Sequence, residues 1–304
     1  MLAIFLKTLP FFGLIGLGWF AGRVRFFPPE ATAWLTKFVF YFALSAMLFR
    51  FTATLPIEEL FDPAFFAAYL LGSGAVWALG FAVAKLRRQP LALAAMEAHT
   101  AMTGNTGFLG VPMLVVLLGE AAVGPVLMVL AIDLIVFSSL ITLIITAARH
   151  GRVSLIPLLK GLAKNPMIVS MAAGLIWARL HLPMPGPLAE FVAILGAAAT
   201  PGALFAIGAS LADRNAESLG PAAWLSAAKL VLHPLAVAGA ALAFGVEPYA
   251  AGVMVAAAAL PVAGNVYILA SHYGVGPQRV SASILISTAI SILTIPAVIA
   301  WVTR

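Results

Sequence analysis

The sequence predicts an all-α polytopic membrane protein, and three observations carry that prediction. The first is composition: of 304 residues, 63% are hydrophobic and only 9% charged. Soluble domains carry roughly 25% charge, so water is not the main solvent of this chain. The second is the recurrence of apolar runs of roughly 18 residues or more, long enough to cross a hydrocarbon core of about 30 Å as helices. The third is a set of helix breakers inside two such runs, GNTGFLGVP (104–112) and LPVAGNVYILA (260–270). There is no cysteine, which excludes disulfides, thiolate nucleophiles and cysteine metal sites.

Polar punctuation divides the chain into ten predicted spans: 3–21, 33–51, 64–85, 91–117, 121–147, 163–180, 188–211, 221–245, 249–272 and 279–302. The first run lacks a basic leader region and a small-residue cleavage site, so it reads as a retained helix. With the N-terminus outside, the inner loops receive Arg23, Arg25, Lys37, Lys85, Arg87, Arg88, Arg149, Arg152, Lys160, Lys164, Arg214 and Arg279. The outer side keeps Lys7, Arg50, Arg179 and Arg304, together with Glu58, Glu59, Asp62, Glu120 and Glu247. This positive-inside bias predicts a multi-pass protein of the cell (inner) membrane with both termini on the non-cytoplasmic side. The formal net charge of +6 follows from the same bias and gives no reason to expect nucleic acid.

Internal echoes suggest a repeat. FGLIGLGW (12–19) matches AGLIWARL (173–180), and LSAMLF (44–49) matches TPGALF (200–205). The chain then divides into two five-helix halves, 1–150 and 151–304. Because five is odd, the second half is inverted relative to the first, as in many secondary transporters.

The two breaker segments fall at equivalent places, in spans four and nine. Backbone groups freed from a helix cost several kcal/mol each in lipid, so unwound segments survive where they are buried in protein or line a cavity. At such a break a half-helix N-terminus presents unpaired N–H groups and a positive dipole end to an anion. Asn105 and Asn265 add neutral amide donors without the desolvation cost of a charge. Thr106, Gly107, Gly264 and Tyr267 flank the crossing and are candidate substrate-binding residues, with packing alone the alternative for Tyr267. The alternative is that these glycines serve close helix packing only.

These segments resemble the auxin efflux carrier family, over essentially the whole chain. Supporting matches are KNP (164–166), ATPGALFAIGASL (199–211) and STAISILTIP (287–296). The resemblance implies a ten-helix inverted-repeat fold shared with bile-acid and sodium/proton transporters. In that fold two broken helices cross, and Asn105, Pro112, Pro261 and Asn265 shape the substrate site. It also implies a mobile bundle of spans three to five and eight to ten, moving like an elevator against a scaffold of spans one, two, six and seven. One departure is Ser45, where family members often carry proline; Pro201 is retained at the matching place, so the two scaffold halves need not bend alike.

Ionisable residues within spans are functional candidates by default. Glu97 and Lys229 lie roughly 9 and 12 Å from the cytoplasmic ends of their spans at about 1.5 Å per residue. They read as a buried pair or coupling site, in the region where the related bile-acid carriers bind sodium, or as lining of a cytoplasmic vestibule. His99 and His233, within a turn of them, read as a proton relay or as packing residues. Asp133, near the middle of span five, reads as a hydrogen-bonding neutral acid or a coupling site.

The expected function is a secondary carrier of a small organic anion, an auxin-like acid or a malate- or malonate-like carboxylate, by elevator-type alternating access. Export is favoured for an uncoupled anion, since a negative interior supplies about 2.3 kcal/mol per charge per 100 mV. The alternative is a proton- or sodium-coupled dicarboxylate uptake symporter. A channel is a further alternative, disfavoured by the scarcity of intramembrane charge. No nucleotide loop, zinc-protease motif or nucleophile elbow occurs, so an enzyme is not expected. No cofactor or metal is expected; the expected partners are the anion, membrane lipids and a second copy docked through the scaffold spans.

Overall fold

The computed structural model describes residues 2–55, 62–150, 155–212 and 219–303. The topology charges Glu58, Glu59, Arg152, Arg214 and Arg304 lie outside the described residues. Among the described residues every regular element is helical. Seven helices are long and apolar enough to cross a membrane, and three further apolar helices are shorter.

In chain order the elements are α1 (Leu2–Arg23), α2 (Pro29–Thr54), α3 (Pro63–Leu86), α4 (Leu91–Met102), α5 (Thr106–Leu118), α6 (Glu120–Arg149), α7 (Leu155–Lys164), α8 (Pro166–Arg179), α9 (Gly186–Ala212), α10 (Leu219–Ala243), α11 (Pro248–Ala258), α12 (Gly264–Tyr273) and α13 (Pro277–Val302). The breaks expected in spans four and nine are present: one separates α4 from α5 and the other α11 from α12. The predicted sixth span, 163–180, starts later, because Lys164 ends α7 and Asn165 caps α8.

Several helix starts share one chemical device. Asp62, Asn165 and Glu247 each precede a proline and accept from backbone N–H groups of the first turn: Asp62 from Ala64 at 2.8 Å, Asn165 from Met167 at 3.0 Å and Glu247 from Ala250 at 2.8 Å. The cap satisfies an orphan donor, and proline at the first helical position sacrifices no bond. The KNP motif therefore acts here as a helix start.

Close packing sorts mainly into two groups. In the first, α1 lies on α9 and α2 on α8 and α9. A Cβ on Gly18 would collide with the Phe205 carbonyl, one on Gly208 with that of Ile15, and one on Gly174 with Thr52 and the Phe49 carbonyl. Small residues let these backbones touch, which is how helices gain packing energy without a hydrophobic drive from water. In the second group α3 packs on α4 and α10, α10 on α11 and α13, and α6 on α4 and α11. Helix α2 contains a π-turn at Val39–Ala43, after which Ser45 Oγ donates to the Phe40 carbonyl at 3.2 Å. A hydroxyl thus returns a bond to a loosened ladder at the position where the family resemblance implied a proline.

Candidate functional site

The two breaks meet. Gly104 and Val262 form an isolated antiparallel bridge, the Asn105 N–H donates to the Pro261 carbonyl at 2.9 Å, and the Ala263 N–H donates to the Thr103 carbonyl at 3.2 Å. Backbone groups released from both helices thus satisfy each other, as burial requires. Beyond the bridge, α5 starts after Asn105 and α12 starts at Gly264, so two helix N-termini emerge from the crossing.

A cavity of about 660 Å3 reaches this point. Asn105, Phe108, Gly264, Asn265 and Tyr267 line its inner end, and Pro29 and Pro277 mark the first turns of α2 and α13 at its other end. Those helix starts adjoin Arg23, Arg25 and Arg279, so the cavity extends toward the basic end of the molecule. Neither the Asn105 nor the Asn265 carboxamide is spent on a hydrogen bond to another described residue. Two positive dipole ends and two available amides converge on one space, which is an arrangement suited to a carboxylate.

The other crossing candidates have different places. Thr106 is buried and donates toward Asp133 at 3.5 Å. Gly107 abuts Met167 of α8, where a side chain would clash. Pro261 contributes its carbonyl to the crossing rather than a wall to the cavity. Pro112 lines a separate, smaller cavity of about 170 Å3 with Arg50 and Thr200. It does not touch the main one, because it lies two turns along α5 from Asn105.

The charged candidates also rearrange. Glu97 is ion-paired with Arg87 and Arg279, not with Lys229. The pairing imagined between Glu97 and Lys229 fails because Glu97 faces the basic ends of α3 and α13. Lys229, fully buried, donates to the Ala258 carbonyl and lies 3.0 Å from His233 Nδ1. Ala258 ends α11, so the ammonium caps the negative end of a half-helix whose carbonyls the break exposes. A Cβ on Gly104 would lie 3.3 Å from Lys229 Nζ, which places the cation directly behind the crossing. Asp133 accepts from the Tyr69 hydroxyl at 2.9 Å and is an electrostatic neighbour of Lys229. His233 Nε2 is 2.9 Å from Ser73 Oγ. His99 contacts Thr103 at 3.2 Å, and no hydrogen bond joins it to His233 among the described residues.

Sequence reasoning missed Tyr69, Phe108, Thr32, Thr36, Ser210, Gln278 and Ser281, and assigned Lys37 to a loop. The polar ones recur on helix faces at three- and four-residue spacing, a signal visible as Thr32, Thr36 in α2 but diluted by apolar neighbours.

A family profile described as membrane transport protein matches residues 3–299. A protein of Rhizobium meliloti named "Putative malonate transporter" is 35% identical over 95% of this chain and 92% of its own length. "Uncharacterized transporter YfdV" of Escherichia coli is 26% identical over 97% of both chains. "Auxin efflux carrier component 3" of Arabidopsis thaliana is 29% identical over 48% of this chain and 24% of its own length. The crossing, the cavity and these similarities agree: the chain belongs to the membrane transport protein family of auxin efflux carrier type, and it is a multi-pass membrane transporter rather than an enzyme.

Proposed function

We propose that this chain carries a small organic anion, of the malonate-like carboxylate class, by moving the crossing past a fixed scaffold. One observation carries the reading: two half-helix N-termini and two uncommitted carboxamides face one cavity. The malonate in the name of the Rhizobium meliloti relative points to the same chemical class.

The elevator division rests on the packing. Spans one, two, six and seven form the scaffold, and the rest form the mobile bundle. The contact of Gly18 with Phe205 and that of Gly174 with Phe49 are related by one offset of 156 residues, as expected of inverted halves 1–150 and 151–304. The same offset links LSAMLF to TPGALF, whereas the first echo, FGLIGLGW with AGLIWARL, is displaced from this packing equivalence by five residues. Within the bundle, Ser73 and His233, 160 residues apart, face each other, matching the spacing of Asn105 and Asn265. Ten spans, with both termini outside and the main cavity open to the cytoplasm, accommodate these relations in the cell membrane.

Outward flux follows for an uncoupled anion from the membrane potential. A second reading, cation-coupled uptake, draws on the buried Asp133, Lys229 and His233 behind the crossing. Solid-supported-membrane currents from purified protein in liposomes, with malonate, malate and auxin-like acids under imposed sodium and pH gradients, separate the two. Uncoupled export predicts malonate currents that persist without sodium and without a pH gradient. Currents that vanish without either gradient favour coupled uptake, and the absence of flux for every carboxylate removes the proposal.

A further inference from the structure

Among the described residues, the main cavity is walled by apolar and neutral polar groups with one exception: Lys37 alone carries a formal charge, and no described carboxylate lines the space to compensate it. Lys37 is also not where a topology signal should be. It is the ninth residue of α2, about 12 Å along the helix from Pro29 at 1.5 Å per residue. Pro29, Thr32, Ala33, Thr36 and Lys37 line the cavity together, and their spacing is that of a single helix face.

The register of α2 against the crossing is fixed by an aromatic contact. Phe40 and Phe108 are stacked, with centroids 6.1 Å apart and planes within 2°. Lys37 precedes Phe40 by three residues, and Asn105 precedes Phe108 by three. Each polar residue therefore sits about one helical turn from the stacked pair, toward the basic end, and both face the same cavity. The Lys37 ammonium rests over the Trp34 ring at 4.1 Å from the centroid. That contact occupies one face of the ammonium and leaves N–H donors for a ligand.

We propose that Lys37 reads the second carboxylate of a dicarboxylate whose first carboxylate lies between Asn105 and Asn265. The proposal rests on the carboxylate reading of the crossing and adds the residue that selects two charges over one. A monoanion held at the amides leaves the Lys37 charge without a counterion. A short dianion neutralises it and spans from the crossing to α2. The flexible four-carbon stem of lysine suits a point contact that forms and breaks in each cycle better than a rigid fork would.

The test compares malonate with propionate, which has the same carbon count but a methyl in place of one carboxylate, at a pH where malonate is doubly ionised. Full-length protein in liposomes is assayed as wild type, Lys37→Gln and Lys37→Arg. Wild type is expected to prefer malonate. Lys37→Gln is expected to raise the malonate KM about ten- to hundredfold, the scale of losing one charge-assisted bond, while propionate transport stays within about threefold. Lys37→Arg is expected to retain most of the preference. An unchanged malonate KM in Lys37→Gln overturns the proposal while leaving the carboxylate site standing. A parallel fall for both substrates assigns Lys37 a structural role and also overturns it. Wild type that carries no carboxylate removes the underlying site as well.

Discussion

Replacing Asn105 or Asn265 with alanine is expected to lower kcat/KM for the carried anion about ten- to hundredfold. Each carboxamide offers donors to a charged acceptor, and hydrogen bonds to charged groups contribute about 1.5–3 kcal/mol. Neither amide is committed within the protein, so the loss should fall on the substrate and spare the fold. The crossing itself is closed by backbone bonds, Asn105 N–H to Pro261 and Ala263 N–H to Thr103, which alanine keeps. Asn265→Asp sharpens the result, since it preserves volume but sets a like charge against a carboxylate. That variant is expected to be inactive with an unchanged melting temperature in detergent. Full transport by Asn265→Asp would mean that no anion passes between the two amides.

Lys229→Met is expected to cost both stability and flux. The side chain is fully buried, caps the Ala258 carbonyl and neighbours Asp133. Methionine fills a similar volume but removes the cation that caps the Ala258 carbonyl and neighbours Asp133. Removing one charged partner from a buried polar set is destabilising, whereas removing both partners is often close to neutral. The single variant should therefore melt well below wild type, and Lys229→Met combined with Asp133→Asn should recover much of the loss. Thermal denaturation in detergent measures this directly. A single variant as stable as wild type, or a double variant less stable than the single, contradicts the assigned role.

Much of this was legible because membrane solvent makes strict demands on sequence. A glycine, an asparagine and a proline inside an apolar run announce a broken helix, and both predicted breaks exist. What stayed hidden depends on rotation about helix axes, which a run of apolar residues does not record. The predicted spans place Glu97 and Lys229 at similar depths, yet one turns toward Arg87 and Arg279 and the other toward Ala258. Pro112 shares a motif with Asn105 but lines another cavity. In the sequence Lys37 reads as a loop charge, because basic residues near span ends usually set topology; only the position of α2 against the crossing reveals it as a cavity wall. The Tyr69–Asp133 bond joins residues 64 apart in sequence, and nothing local announces it.

The central claim is that the anion occupies the cavity at the crossing. The chain has no cysteine, so a single Ile207→Cys, placed in the cavity wall, gives one labelling site for a maleimide reagent. Malonate is expected to slow labelling of this variant, and to lose that effect when Asn105 and Asn265 are both alanine. Equal protection in the two backgrounds, or labelling that no transported carboxylate slows, would contradict the account.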